Sequence, residues 1–193
     1  MCKKMMLDDV IAVTNRKLAA HPFLEQLERV CLAKPRAVIL REKDLTPEEY
    51  RLLAKEAVQL CEHCGVELIL HFYAEAAFEL GVKKLHLPLP LLQKMSAPEK
   101  ERFDVIGCSV HSVEEALAAQ SCGASYLTAG HIYATGCKPG LPPRGTEFLR
   151  EVCMAVKIPV YAIGGIPIEG IRRQEVRDCG AAGACIMSEL MRI

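Results

Sequence analysis

Residues 130–140 carry the residue types in this sequence that are best suited to chemistry. The segment reads Gly-His-Ile-Tyr-Ala-Thr-Gly-Cys-Lys-Pro-Gly and directly follows an apolar run that predicts a strand. It joins His131, a glycine-rich loop and Lys138 within a short stretch. An imidazole can remove a proton and return it near neutral pH. The segment therefore predicts proton transfer on a small anionic molecule, with His131 as the candidate acid/base.

Two short motifs further along the chain predict a phosphate site. Gly164 and Gly165 follow one apolar run, and Met187 and Ser188 end the next. Glycines let backbone N–H groups approach an anion closely, and a following helix N-terminus adds its dipole. A plain tight turn is the other explanation for the glycine pair. We expect a phosphate group to rest on these two loops.

Other polar side chains follow the remaining apolar runs. Arg41 and Lys43 share one face of an extended chain, so both could neutralise a substrate anion or pair with Glu42 between them. Two further histidines are weaker candidates for the base. His71 ends one run, and His111 follows another, where its side chain could simply organise the loop.

Composition limits the classes of function. The 193 residues suffice for one domain, residues 1–193, and the 24 basic and 24 acidic side chains cancel. No basic stretch predicts nucleic-acid binding, and no apolar run is long enough to span a membrane. Asp8 and Asp9 interrupt any signal-like segment near the N-terminus. We expect a cytoplasmic protein that has no nucleic-acid or membrane partner.

The ten cysteines are scattered along the chain. Cys61 and Cys64 have the spacing of a redox or metal motif, but no second such pair completes a zinc site. They also end a helical pattern just before Gly65. The sequence therefore favours reduced thiols that act as small apolar side chains.

Apolar strand-like runs alternate with amphipathic helical patterns throughout the chain. This alternation predicts parallel pairing and a (β/α)8 barrel, with a doubly wound open sheet as the alternative. The barrel is favoured because no G-x-G-x-x-G motif follows the first strand. The phosphate-type loops instead follow strands 7 and 8, where barrels commonly hold phosphate. The predicted strands are residues 10–14, 37–41, 67–71, 84–87, 105–109, 125–130, 160–164 and 184–188.

This predicted TIM barrel is small, and its shortened C-terminus lacks most of the last helix. Residues 87–95, rich in leucine and proline, stand in place of a proper fourth helix. A missing helix would leave apolar barrel wall uncovered. We therefore expect a homodimer in which a second copy covers that wall.

Six short motifs, in order and at suitable spacing, resemble the superfamily of thiamin phosphate synthase and the TenI-like thiazole tautomerases. The resemblance covers residues 10–188 and implies a (β/α)8 barrel. The motifs are Leu40-Arg41-Glu42-Lys43, Ser109-Val110-His111-Ser112, Gly130-His131-Ile132-Tyr133, Thr135-Gly136-Cys137-Lys138, Ile163-Gly164-Gly165-Ile166 and Met187-Ser188.

Four departures from the synthase pattern point to the tautomerase branch. Ile39 stands where the synthase has glutamine, and His131 follows the strand 6 glycine where the synthase usually has proline. The ends of strands 3 and 4 carry His71-Phe72-Tyr73 and Pro88-Leu89-Pro90 where the synthase places metal-binding carboxylates. The resemblance thus implies an isomerase with catalytic His131, acting on a small phosphorylated thiazole that bears a carboxylate. It implies substrate contacts at Arg41, Lys43, Ser109, Thr135, Cys137, Lys138, Gly164, Gly165, Met187 and Ser188.

Two other functions stay open. The first is thiamin phosphate synthase itself, a Mg²⁺-dependent transferase. The second is a non-catalytic barrel that binds a thiamin-related ligand, as a regulator would. Because the strand ends carry almost no carboxylates, we expect no metal and no organic cofactor.

Overall fold

Eight parallel strands form a closed barrel in the computed structural model, which describes residues 7–137 and 140–193. Each strand lies at or close to its predicted residues, so the predicted (β/α)8 barrel is confirmed and the open sheet is wrong. The strands are β1 Val10–Val13, β2 Ala37–Leu40, β3 Glu67–His71, β4 Lys84–Pro88, β5 Val105–Val110, β6 Tyr126–Gly130, β7 Val160–Ile163 and β8 Gly183–Ile186.

The ladder between β1 and β8 closes the barrel. Ile11 of β1 lies beside Ala37 of β2 on one side and beside Cys185 of β8 on the other. The closed order places strands that are four apart on opposite sides of the mouth. The loops after β2 and β3 therefore lie across the mouth from those after β6 and β7.

Helices follow seven of the strands and cover the outer wall. Local sequence explains the ends of these helices. At the start of α2, Thr46 precedes Pro47 and forms a capping box with Glu49, and Gly65 ends this helix with φ +63°. The helices are α1 Phe23–Leu32, α2 Pro47–Cys64, α3 Ala74–Glu79, α4 Leu89–Lys94, α5 Ala97–Lys100, α6 Val113–Ser121, α7 Gly145–Ala155 and α8 Ile171–Asp178.

Two predictions about local structure need correction. Within residues 87–95, Leu89–Lys94 form a short helix, α4, which tolerates Pro90 because it lies in the first turn, where the missing N–H costs nothing. The sequence Ser112-Val113-Glu114-Glu115 has the pattern of a capping box at the start of α6, but the box is incomplete. The Ser112 side chain accepts from the Glu115 N–H, but the Glu115 carboxylate accepts from the backbone N–H of His111 rather than that of Ser112.

A short 3-10 turn, Leu190–Arg192, follows β8 in place of an eighth helix, as predicted. Leu190 and Met191 are fully buried, and the Gln26 side-chain amide of α1 donates to the Leu190 carbonyl at 3.0 Å. The expectation that this wall lies uncovered is therefore wrong, because the turn itself packs on it. The homodimer stays a prediction.

The interior of the barrel holds a small apolar cluster below the mouth. Tyr126 and Tyr161 pack there edge to face, with ring centroids 5.8 Å apart. Gly107 of β5 makes room for them, since a Cβ at this position would lie 2.2 Å from the Tyr126 ring and 2.4 Å from His86 Nδ1. This glycine therefore lets the Tyr126 and His86 side chains meet in the barrel interior.

The cysteines that the structure describes are free thiols, as the sequence favours. Cys61 and Cys64 lie at the end of α2, and the Cys61 sulfur is 3.7 Å from that of Cys31 in α1. Burial raises the pKa of the Cys64 thiol. Within the described ranges, no set of three or more His, Cys, Asp or Glu side chains could hold a metal ion. No helix in those ranges has the length and apolarity needed to cross a bilayer.

Candidate active site

A cavity of about 710 Å³ opens at the carboxyl ends of the strands. Its wall brings together every predicted site residue that the structure describes; predicted Lys138 lies outside the described residues. The predicted residues on the wall are Arg41, Lys43, Ser109, His131, Thr135, Cys137, Gly164, Gly165, Met187 and Ser188. His71 and His111 line it as well.

His131 follows β6 and is buried, with 6% of its surface exposed. Its Nε2 lies 3.3 Å from the Leu141 carbonyl oxygen, which can only accept, so Nε2 carries the proton. In the neutral form of an imidazole with this tautomer, the lone pair resides on Nδ1. An imidazole whose tautomer is held in this way can act as a base through Nδ1.

His111 is tied to the same strand end. Its Nδ1 donates to the Gly130 carbonyl at 2.7 Å, while its backbone N–H donates to Glu115. These bonds join the loop after β5 to the residue before His131. They support the organising role that the sequence left open for His111.

Packing accounts for the glycine pair after β7, in addition to the phosphate binding that the sequence predicts. Gly164 and Gly165 have φ +103° and +67°. A Cβ on Gly164 would lie 2.4 Å from the Cβ of His131, and one on Gly165 would lie 2.6 Å from the Ala134 carbonyl oxygen. The loop after β6 therefore packs against bare backbone.

Backbone hydrogen bonds orient the N–H groups of these loops. The Gly164 carbonyl accepts from the Tyr133 N–H at 3.0 Å, so the Gly165 N–H, on the other side of the same peptide, points away from Tyr133. The Met187 carbonyl accepts from the Met191 N–H, which turns the Ser188 N–H away from the 3-10 turn. Both residues line the cavity.

Side chains near these loops add polar groups. The Ser188 hydroxyl lies 3.4 Å from the Cys137 sulfur, and the Cys137 N–H donates to the Thr135 hydroxyl. Arg172 of α8 donates to the Gly165 carbonyl at 2.7 Å, and its guanidinium lies 4.5 Å from the centroid of the Tyr133 ring. Arg172 was missed at the sequence level, because nothing in the pattern of α8 marks it.

His86 is a second residue that the sequence analysis missed. Its Nδ1 lies 2.9 Å from the Tyr126 hydroxyl and its Nε2 lies 2.9 Å from the Ser109 hydroxyl, which accepts from Thr128. Burial and the nearby Lys43 lower the pKa of His86 to about 3, so the ring is neutral. A histidine inside an otherwise apolar strand was the available signal.

His71 stands beside His86, with ring centroids 5.8 Å apart. Burial is the main cause that holds its pKa well below the ordinary value, and His86, Lys43 and Arg41 act in the same direction. Its Nδ1 is buried and has no hydrogen-bond partner within residues 7–137 and 140–193. The floor of the cavity thus carries two neutral imidazoles.

Arg41 and Lys43 follow β2 and both line the cavity, as strand alternation predicts. Glu42 faces the other way and is buried. Its carboxylate accepts from the Thr14 hydroxyl at 2.7 Å and forms a salt bridge with Arg16. The structure thus pairs Glu42 with Arg16, which leaves the cavity side of this loop positively charged.

Two carboxylates line the cavity within the described ranges, those of Glu115 and Glu189. Each accepts a backbone N–H, Glu115 from His111 and Glu189 from Ile168. Mg²⁺ is usually held through one or two carboxylates together with substrate phosphates. The donors present are suited to binding anions and moving protons.

A closed (β/α)8 barrel with a polar cavity at the carboxyl ends of its strands has the architecture of a barrel enzyme. The model of the family described as thiamine monophosphate synthase matches residues 10–190. The chain therefore belongs to the thiamine monophosphate synthase family, which confirms the superfamily that the sequence motifs resemble.

Individual relatives agree with this assignment. The chain is similar to thiamine-phosphate synthase 2 of Streptococcus pneumoniae, with 33% identity over 186 residues, covering 93% of this chain and 86% of that protein. It is 35% identical to a putative thiamine-phosphate synthase 2 of Aquifex aeolicus over 168 residues, 87% of this chain and 90% of the other. A thiamine phosphate pyrophosphorylase from Pyrococcus furiosus superposes with a TM-score of 0.79 at 28% identity, covering 97% and 89% of the two chains. None of these three relatives is named a thiazole tautomerase.

Proposed function

We propose that the cavity binds a carboxylated thiazole phosphate of thiamin biosynthesis and that His131 transfers a proton on its ring. The reaction is the isomerisation of a non-aromatic thiazole tautomer to the aromatic one. The observation that carries this proposal is the position and hydrogen bonding of His131. Its imidazole is buried at the end of β6, its tautomer is set by the Leu141 carbonyl, and its Cβ lies against the glycine loop after β7.

This isomerisation moves one proton from one carbon of the substrate to another, so the substrate neither gains nor loses a proton overall. The lone pair on Nδ1 of His131 removes a ring C–H proton, and the electron pair of that bond moves into the ring. The exocyclic double bond then takes a proton from the imidazolium at its outer carbon. No group leaves, and no oxidant or metal is needed. General acid–base catalysis of this kind typically contributes about 10²–10⁴ in rate.

The phosphate of the substrate has a natural place on the neighbouring loops. Gly165 and Ser188 line the cavity, with the Gly165 N–H turned away from Tyr133 and the Ser188 N–H turned away from the 3-10 turn. Arg172 adds a positive charge beside Gly165. A phosphate anchored there lies next to the strand end that carries His131, since β6, β7 and β8 are adjacent.

The names of the relatives favour a second candidate, thiamin phosphate synthase. That enzyme is a transferase that joins a thiazole phosphate to a pyrimidine diphosphate. Arg41 and Lys43 could hold a diphosphate, which supports this reading. Against it stands the sequence at the ends of β3 and β4, which carries His71-Phe72-Tyr73 and Pro88-Leu89-Pro90 and no carboxylate.

One pair of assays separates the candidates. The purified protein is mixed with the non-aromatic thiazole carboxylate phosphate, and aromatisation is followed by ultraviolet absorbance against the uncatalysed reaction. In parallel it is mixed with thiazole phosphate, pyrimidine diphosphate and Mg²⁺, and pyrophosphate release is measured. We expect acceleration in the first assay and none in the second. Pyrophosphate release would establish the transferase, and binding without turnover in both would indicate a non-catalytic protein.

A further inference from the structure

A second cavity, of about 240 Å³, lies beside the end of α2 and the first residues of β3 and β4. It is therefore at the amino ends of these strands, away from the mouth of the barrel. Val58, Cys61 and Glu62 line it from α2. Residues spaced i, i+3 and i+4 share one helix face, so the cavity adjoins the face of α2 that carries Cys61.

Cys61 meets Cys31 of α1 where the two helices pack together. Their sulfurs lie 3.7 Å apart, although the residues are separated by 30 positions in the sequence. Both side chains are buried, and both thiols are free. A disulfide joins its sulfurs at about 2.05 Å, so the two side chains have to approach by about 1.7 Å to form one. The two helices thus present a thiol pair that a two-electron oxidation can join.

The C-x-x-C spacing of Cys61 and Cys64 does not make these two the reactive pair. Both lie within α2, and residues three apart on a helix have Cβ atoms about 5–6 Å apart. A disulfide requires about 3.5–4.5 Å between its Cβ atoms. The partner of Cys61 is therefore the sulfur on α1 rather than the sulfur of its own motif.

The surroundings of the pair decide which sulfur reacts first. The hydrogen bond with Cys61, together with burial, raises the pKa of the Cys31 thiol well above its ordinary value. The Lys34 ammonium, which donates to the Cys64 carbonyl, acts in the opposite direction. Because the thiolate is the reactive form, we expect Cys31 to keep its proton until Cys61, which lines the cavity, has been oxidised.

We propose that Cys61 and Cys31 form a peroxide-sensitive modification site, which a small peroxide reaches through this cavity and converts to a disulfide. In the first step the Cys61 sulfur attacks hydrogen peroxide, the O–O bond breaks, and a sulfenic acid and water form. In the second step the Cys31 sulfur attacks the Cys61 sulfur and the S–O bond breaks. The hydroxyl group leaves as water with the Cys31 proton. Two thiols and one peroxide thus give one disulfide and two water molecules.

The disulfide ties α1 to α2 across the strand between them. The chain between the two cysteines contains β2 and the loop with Arg41 and Lys43. A cross-link that closes a loop of this length restricts the unfolded chain and so stabilises the folded one. We expect the melting temperature of the oxidised protein to exceed that of the reduced protein by about 5–10 °C.

The test is a peptide map of the wild-type protein after treatment with hydrogen peroxide. The remaining thiols are blocked with N-ethylmaleimide, the protein is digested with trypsin without reductant, and the peptides are identified by mass spectrometry. We expect a linked pair of peptides that carry Cys31 and Cys61, and we expect dithiothreitol to separate them. Cys137 is exposed, so its modification reports that peroxide has reacted with the sample.

Variants assign the link to one sulfur of the motif. They are needed because no Lys or Arg separates Cys61 from Cys64, so one tryptic peptide carries both. Cys64→Ser is the matched control and should keep both the link and the shift in melting temperature, whereas Cys61→Ser should lose both. Cys31→Ser should leave the sulfenic acid on Cys61, where dimedone traps it.

Three results would overturn the proposal, and none of them depends on the catalytic reaction. The first is a peptide map in which Cys137 is oxidised and no linked peptide is found. The second is a link that Cys64→Ser removes, which would make Cys64 the partner. The third is a link that forms only in urea, because it would then require unfolding rather than the packed helices.

Discussion

Replacing Gly164 with alanine tests how the barrel positions His131. Gly164 has φ +103°, a conformation that L-residues rarely adopt. An added Cβ would lie 2.4 Å from the Cβ of His131 and 2.9 Å from its Cα. Neither atom belongs to the free end of a flexible side chain, so the whole strand end has to move.

The expected cost has two parts. The unfavourable backbone conformation costs about 1–2 kcal/mol, and overpacking a filled site costs about 1–3 kcal/mol. Gly164→Ala should therefore lower the free energy of unfolding by roughly 2–5 kcal/mol. Because the clash is with His131, the folded variant should also lose aromatisation activity.

Gly123→Ala is the matched control. Gly123 has φ +92°, but a Cβ there has nothing within 4 Å, so this variant shows the backbone cost alone. Urea unfolding followed by circular dichroism should give Gly164→Ala a lower stability than Gly123→Ala by about 1–3 kcal/mol. Equal stabilities, or full activity in Gly164→Ala, would refute the packing of this loop against His131.

Three further predictions concern the buried network and the metal. Tyr126→Phe leaves His86 Nδ1 without its partner and should cost about 1–3 kcal/mol in urea unfolding; Tyr161→Phe in the same cluster is the control, and equal losses would contradict the pairing. The pKa of His86 falls to about 3 on folding from about 6.5 in the unfolded chain, so the unfolded chain binds this proton first. The contribution of His86 to the free energy of unfolding should be complete above about pH 6.5 and should fall toward pH 3 by about 1.4 kcal/mol per pH unit. An identical slope in His86→Gln would contradict the assignment. EDTA should leave the aromatisation rate unchanged, whereas loss of activity that Mg²⁺ restores would favour the transferase.

The fold was predictable because its signals are local. Apolar runs alternate with capped helices, so the strands of the barrel could be located before any contact was known. Thr46 and Gly65 show why: both ends of α2 are set by residues within one turn of them. The same logic located the strand ends, where the residues of the cavity wall lie.

What could not be predicted depends on contacts between distant residues. His86 lies inside its strand, and its role comes from Tyr126 and Ser109 on other strands. The direction of Glu42 is set by Thr14 and Arg16, which lie more than twenty residues earlier. Periodicity indicates which face of a strand a residue occupies, but it does not indicate which distant residue contacts it.

The catalytic role of His131 is the central claim, and His131→Asn tests it most directly. Asparagine keeps polarity and approximate size but cannot accept the ring proton. The measurement is the rate of ring aromatisation for both proteins at saturating substrate, after subtraction of the uncatalysed rate. We predict a loss of about 10²–10⁴ in turnover with ligand affinity little changed, because the proposed phosphate contacts lie on other loops. Equal rates for the two proteins would contradict the account and remove His131 from the mechanism.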